Sequence, residues 1–205
     1  MFKYERCIDG KYLKIESNDK EEFLTKTLVD VTNYAYEFLP WDVKKVYNSL
    51  PDDWDKFFKK AKTINRALKK HGLSTDEVKF ARSIILMKKV IDLLKLDTDE
   101  DSVSDCENDF VYFVFIGDDK RKAVKRFTFT DKMENIDKFR AFTSIQSSIV
   151  TKMCGKLKKV KKDKNAIDSF DPNDATLCDV IVTLKKLGVD PVIDIKKLDK
   201  YLNSL

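Results

Sequence analysis

Apolar positions recur at two different periods along this chain, and the switches between them mark its parts. From Phe2 to Glu16 (FKYERCIDGKYLKIE) apolar and polar residues alternate loosely around Asp9-Gly10. That dipeptide suits a tight turn, so the pattern predicts a short hairpin over 2–16. From about Lys20 the spacing becomes helical, with Phe23, Thr27, Val31, Tyr34 and Phe38 on one stripe. Ser17, Asn18 or Asp19 supplies the cap, and Pro40 ends the helix. A second helical stretch is expected over Trp41 to Ser49. After Pro51, Asp52 or Asp53 caps a longer helix from Trp54 to Lys70, whose stripe is Trp54, Phe57, Phe58, Ala61, Ile64, Ala67 and Leu68. Gly72 provides its C-cap, and Ser74 with Glu77 three residues on reads as a capping box opening a helix over 75–96.

The texture changes at Phe110. FVYFVFI is a dense aromatic and β-branched run, GDDKRK is turn-like, and AVKRFTFT alternates, which together predict two antiparallel strands joined at Gly117 to Lys122. Because Phe110, Tyr112 and Val114 fall on one face and Val111, Phe113 and Phe115 on the other, this strand is expected to be covered on both sides. A helix from about Asn135 to Lys162 follows, with Ile136, Phe139, Phe142, Ile145, Ile149, Met153 and Leu157 in line. Residues 163–174 read as a loop with a turn at Asp171-Pro172, residues 175–187 as a helix ending at Gly188, and residues 193–205 as a last amphipathic segment.

These elements give an α+β fold, mostly helical. The expected layout is an N-terminal helical subdomain over 1–96, an acidic linker over 97–109, and a part over 110–205 in which C-terminal helices pack on a small central antiparallel hairpin or sheet. With 205 residues, 42% hydrophobic content, 14 Phe and 7 Tyr, the chain can bury a real core despite its 37% charged residues.

Charge changes the picture because it is segregated. Residues 97–109 hold seven acids and no base, whereas residues 138–164 hold nine bases against the single acid Asp163. The net charge of +5 alone says little; the clustering suggests a surface for a polyanion. It comprises the hairpin bases Lys120, Arg121, Lys122, Lys125 and Arg126 and the lysines Lys152, Lys156, Lys158, Lys159, Lys161, Lys162 and Lys164, expected to crowd one helix end. Only six of the 40 bases are Arg, so the side chains favour backbone contact over bidentate base readout. The Lys, Asp and Asn-rich vocabulary also fits an AT-rich genome, as some phages, viruses and parasites have.

Motifs add mostly exclusions. Asp97, Asp99, Asp101 and Asp105 stand at calcium-loop positions, but Ser102 replaces the turn glycine and Asn108 the bidentate Glu. A solvated, mobile linker is the preferred reading, and adjacency alone motivates the further hypothesis that it folds back to shield the basic surface. Cys7, Cys106, Cys154 and Cys178 show no metal-ligand spacing and are expected to be reduced thiols of an intracellular, cytoplasmic protein. The Trp54 to Leu96 helices resemble a helix-turn-helix only loosely, since Asp76 and Glu77 would meet the phosphates. No GxSxG, HExxH, CxxC or phosphate loop is present, and the single His is His71. MFKYERCIDGKY lacks a signal peptide's apolar core, and no run reaches a membrane span. No catalytic residue and no cofactor is assigned. The expectation is a non-enzymatic accessory or regulatory protein that associates with nucleic acid, DNA or RNA, or with a nucleic-acid machine, through this lysine-rich surface and without sequence specificity. The alternative is a protein-interaction or structural protein, such as a viral host-interaction factor or virion component acting in the host cytoplasm, that applies the basic face to an acidic partner.

Overall fold

Asp9 and Gly10 both take positive φ, 51° and 74°, in a computed structural model that describes residues 2–98, 102–117, 122–130, 135–155 and 157–202. Two consecutive left-handed residues match the right-handed twist of a strand pair, and they close the hairpin of β1 (Phe2–Ile8) and β2 (Lys11–Ser17). The second hairpin, β4 (Asp109–Ile116) and β5 (Lys122–Phe129), joins the first through antiparallel pairing of β1 with β4. A two-residue strand, β3 (Ser102–Val103), adds to β2 and completes an antiparallel sheet of order β3-β2-β1-β4-β5. Strands from both sides of the acidic segment therefore share one sheet. Sequence periodicity predicts each hairpin but not their pairing, because nothing local specifies which edges meet.

Eight helices complete the described residues: α1 (Lys20–Glu37), α2 (Trp41–Asn48), α3 (Trp54–Ala61), α4 (Ile64–Lys70), α5 (Thr75–Leu93), α6 (Asn135–Met153), α7 (Leu177–Lys186) and α8 (Ile195–Leu202). Asp19 caps α1 by accepting from the Glu22 N–H, and Ser74 with Glu77 forms the full capping box of α5. Two helices are shorter than their patterns suggest. The stretch from Trp54 to Lys70 breaks at Lys62 and Thr63, where the Thr63 hydroxyl donates back to the Lys60 carbonyl and competes with the helical ladder. The helix expected to reach Lys162 ends at Met153, because Gly155 turns left-handed with φ 63°.

Strand alternation gives the sheet two unlike faces. Tyr4, Arg6, Ile8, Leu13, Val111, Phe113, Phe115 and Phe129 point to the helices and are buried. Phe2 stacks between Phe23 and Phe115 with centroids 5.5 and 5.0 Å away, and Phe23 stacks on Phe113 at 5.9 Å, so α1 is fixed to β1 and β4 by aromatic contact. The opposite face carries Lys3, Glu5, Lys14, Glu16, Tyr112 and Arg126. The expectation that β4 is covered on both sides is therefore corrected in part: the helices cover one face, while on the other Val114 is buried but Phe110 and Tyr112 stay partly exposed. No helix among the described residues is long and apolar enough to cross a membrane.

Candidate functional site

The most buried charge among the described residues is structural. Arg6, 1% exposed, lies on the inner face of β1 and meets Asp30 of α1, 2% exposed. Its Nε and Nη2 each donate to one Asp30 oxygen at 2.9 Å, and Tyr4 donates its hydroxyl to the same carboxylate at 2.6 Å. Nη1 donates to the Lys11 carbonyl, and the guanidinium lies 4.4 Å from the Tyr34 ring centroid. Burial first, and then Asp30, push the Tyr4 hydroxyl well above its usual range, so it stays a donor. With every polar arm of the pair engaged and both side chains buried, this cluster locks α1 to the sheet.

The acidic and basic segments partly answer each other. Asp109 opens β4 and bonds Lys138 of α6 at 2.9 Å, while its other oxygen accepts the Asp9 N–H at 3.0 Å. Cys106 forms a disulfide with Cys7, and the Ser104 N–H donates to the Gly10 carbonyl at 2.9 Å. The expectation of four reduced thiols is thus corrected for this pair. Residues 102–106 are pinned at the β2 edge, the far side of the sheet from β5. Of the calcium-loop acids, Asp99 and Asp101 lie outside the described residues. Asp97 accepts the Thr98 N–H, and Asp105 is exposed. No metal-holding group occurs among the described residues.

The basic residues fall into three groups. Lys122 and Arg126 are exposed on the outer face of β5, an edge strand, whereas Lys125 points inward and donates to Ser144 of α6 at 2.5 Å. Lys152 lies on α6 with its ammonium 4.8 Å from the Phe115 ring centroid, near the hairpin end. The third group, Lys159, Lys161, Lys162 and Lys164, does not crowd a helix end as expected; it runs from the last residue of a 3-10 turn, Leu157–Lys159, through an irregular stretch to the turn that opens at Lys164. All four are exposed, and none has an ion-pair partner among the described residues. Lys120, Arg121 and Lys156 lie outside the described residues, and so does the side chain of Lys158.

The lysine segment is held in place by its neighbours. The Asp163 N–H donates to the Lys186 carbonyl at 3.0 Å, and the Lys162 side chain runs beside Gly188. Further on, Phe170 packs between Trp54 and Phe58 with centroids 5.1 and 5.0 Å away, anchoring the loop to α3. The carboxyl end of α7, where Lys186 sits and the helix dipole is negative, is thereby placed beside the segment. Lys185 belongs to this end too but is neutralised by Asp190. Sequence reading missed Lys186 because the hydrogen bond that brings it here spans 23 positions and leaves no local pattern.

Cys154, just past α6, and Cys178, in the first turn of α7, bring two free thiols together with their sulfurs 2.9 Å apart. Cys178 lines a cleft with Asp19, Lys20, Glu21, Leu24 and Met153. The residues are 24 apart in sequence, so their meeting depends on the loop anchored by Phe170.

No family model and no curated protein sequence matches the chain. A crystal structure of a Pyrococcus furiosus protein, described as a member of the DUF2666 family, is similar in fold: the TM-score is 0.67 over 98% of this chain and 98% of that one, at 17% identity. At that identity the likeness shows the fold alone, an α+β arrangement that is mostly helical.

Proposed function

We propose that this protein is a non-enzymatic accessory factor that holds a nucleic-acid backbone, without reading sequence, on Lys159, Lys161, Lys162 and Lys164 together with Lys186. One observation carries this reading: four exposed lysines stand in an anchored segment with no carboxylate partner among the described residues, whereas Lys138 and Lys185 elsewhere are paired. Cations left unpaired beside one another repel, and a row of phosphates relieves that repulsion while releasing counterions. Lysine without arginine suits phosphate contact as a point charge and offers no fork for a base edge.

Lys122 and Arg126 leave by the outer sheet face and Lys125 is engaged by Ser144, so the reading rests on the 159–164 segment and not on a composite with the hairpin. The test is competition. Labelled duplex DNA, single-stranded DNA and RNA are titrated with the protein, and polyglutamate is added as the acidic-protein mimic. Displacement by unlabelled nucleic acid at far lower charge concentration than by polyglutamate is expected. Equal or stronger displacement by polyglutamate would move the assignment to an acidic protein partner.

A further inference from the structure

The two free thiols have a geometry that the polyanion reading does not use. Their sulfur separation of 2.9 Å is less than an ångström longer than the roughly 2.05 Å of a disulfide bond. Two thiolates on one tetrahedral zinc ion, each at about 2.3 Å, would instead stand roughly 3.8 Å apart. The spacing therefore favours sulfur bonding to sulfur over sharing a metal. Each thiol also meets a backbone carbonyl: the Cys154 thiol approaches the Cys178 carbonyl at 3.5 Å, and the Cys178 thiol approaches the Met153 carbonyl, one residue before Cys154, at 3.4 Å.

The two sulfurs are not equivalent. Cys178 lines the cleft, a space of about 420 Å3, whereas Cys154 is not among its lining residues. Cys178 also sits in the first turn of α7, next to the Thr176 cap, where the helix dipole favours a thiolate. The hydrogen bond from Cys154 holds the Cys178 thiol below its usual range against the opposing effect of burial, and the same bond, with burial, pushes Cys154 up.

We propose that Cys154 and Cys178 form a redox-active dithiol, with Cys178 as the attacking sulfur and a low-molecular-weight disulfide entering the cleft as its substrate. The Cys178 thiolate attacks one sulfur of R–S–S–R, that bond breaks, and RS⁻ leaves and takes up the proton Cys178 had lost. Cys154 then releases its proton, and its sulfur attacks Cys178 Sγ. The mixed disulfide breaks, and the second RS⁻ takes the Cys154 proton. Two protein thiols become one disulfide, and R–S–S–R is reduced to two RSH. The new bond joins the ends of the segment that carries Lys159 to Lys164.

The probe is oxidised glutathione added to the full-length protein, with remaining thiols alkylated and the peptides mapped by mass. In the wild type a Cys154–Cys178 crosslink is expected, with the Cys7–Cys106 pair unchanged. Cys154→Ser is expected to stop at a glutathione adduct on Cys178, and Cys178→Ser to carry little or none on Cys154. In the wild type, alkylation of Cys178 is expected to run several-fold faster than that of Cys154, because the cleft admits the reagent to Cys178 and the first turn of α7 favours its thiolate. Two fully alkylatable thiols after glutathione treatment of the wild type overturn the proposal, whatever the variants do. An adduct on Cys154 in Cys178→Ser equal to that on Cys178 in Cys154→Ser overturns the assigned roles.

Discussion

Arg6 and Asp30 show what a single residue can reveal in advance. Arg6 falls between Tyr4 and Ile8 on the inward positions of β1, and Asp30 falls on the stripe of Thr27, Val31 and Tyr34 in α1. A charge on each of two apolar faces is a readable signal that the faces meet, although the partner is fixed only by packing. Removing one partner leaves the other charged and buried. Asp30→Ala is expected to cost about 3–5 kcal/mol in chemical denaturation, whereas Arg6→Met with Asp30→Leu together should cost much less. A smaller loss for the single variant than for the double would contradict the buried-pair account. Gly10 was readable outright from its place beside Asp9. With φ 74°, Gly10→Ala should lose about 1–2 kcal/mol by the same measurement, since a Cβ disfavours the left-handed region.

Elements were legible where periodicity and caps agreed. α1 and α5 start at the residues their caps name, and Ser74→Ala is expected to lower stability by about 1 kcal/mol because it removes one arm of the capping box. Elements were misread where an apolar stripe continued past a stop. Leu157 extends the α6 stripe and is buried, so the pattern ran on, but Gly155 had already turned the chain and Leu157 packs from a 3-10 turn. That misreading mattered for the site, since it placed Lys159 to Lys164 on a helix end. They stand instead in an irregular segment held by Phe170 and by the Asp163 to Lys186 hydrogen bond. Phe170→Ala is expected to leave the sheet intact and to free the segment, seen as faster backbone amide exchange confined to residues near 160–174; exchange unchanged there would show that the ring is not its anchor.

For the whole molecule, long-range pairing was invisible in the sequence. The β1 to β4 register, the Cys7–Cys106 bond across 99 positions and the meeting of Cys154 with Cys178 are products of tertiary packing. The disulfide closes a loop that includes all of α1 to α5. Cys7→Ser with Cys106→Ser is therefore expected to lower unfolding free energy by about 2–5 kcal/mol, read against the oxidised wild type. Charge segregation, which was plain in the sequence, survives in altered form: Asp109 is engaged by Lys138, residues 102–104 are tied to β2 and its turn, and the lysines of 159–164 have no ion-pair partner among the described residues. The most direct measurement is the salt dependence of binding to duplex DNA for the wild type and for Lys159→Gln, Lys161→Gln, Lys162→Gln and Lys164→Gln combined. The slope of log K against log salt should be steep for the wild type and shallower by about 3–4 in the variant, close to 0.9 per lost phosphate contact. An affinity independent of salt, or equal slopes for the two proteins, would contradict the account.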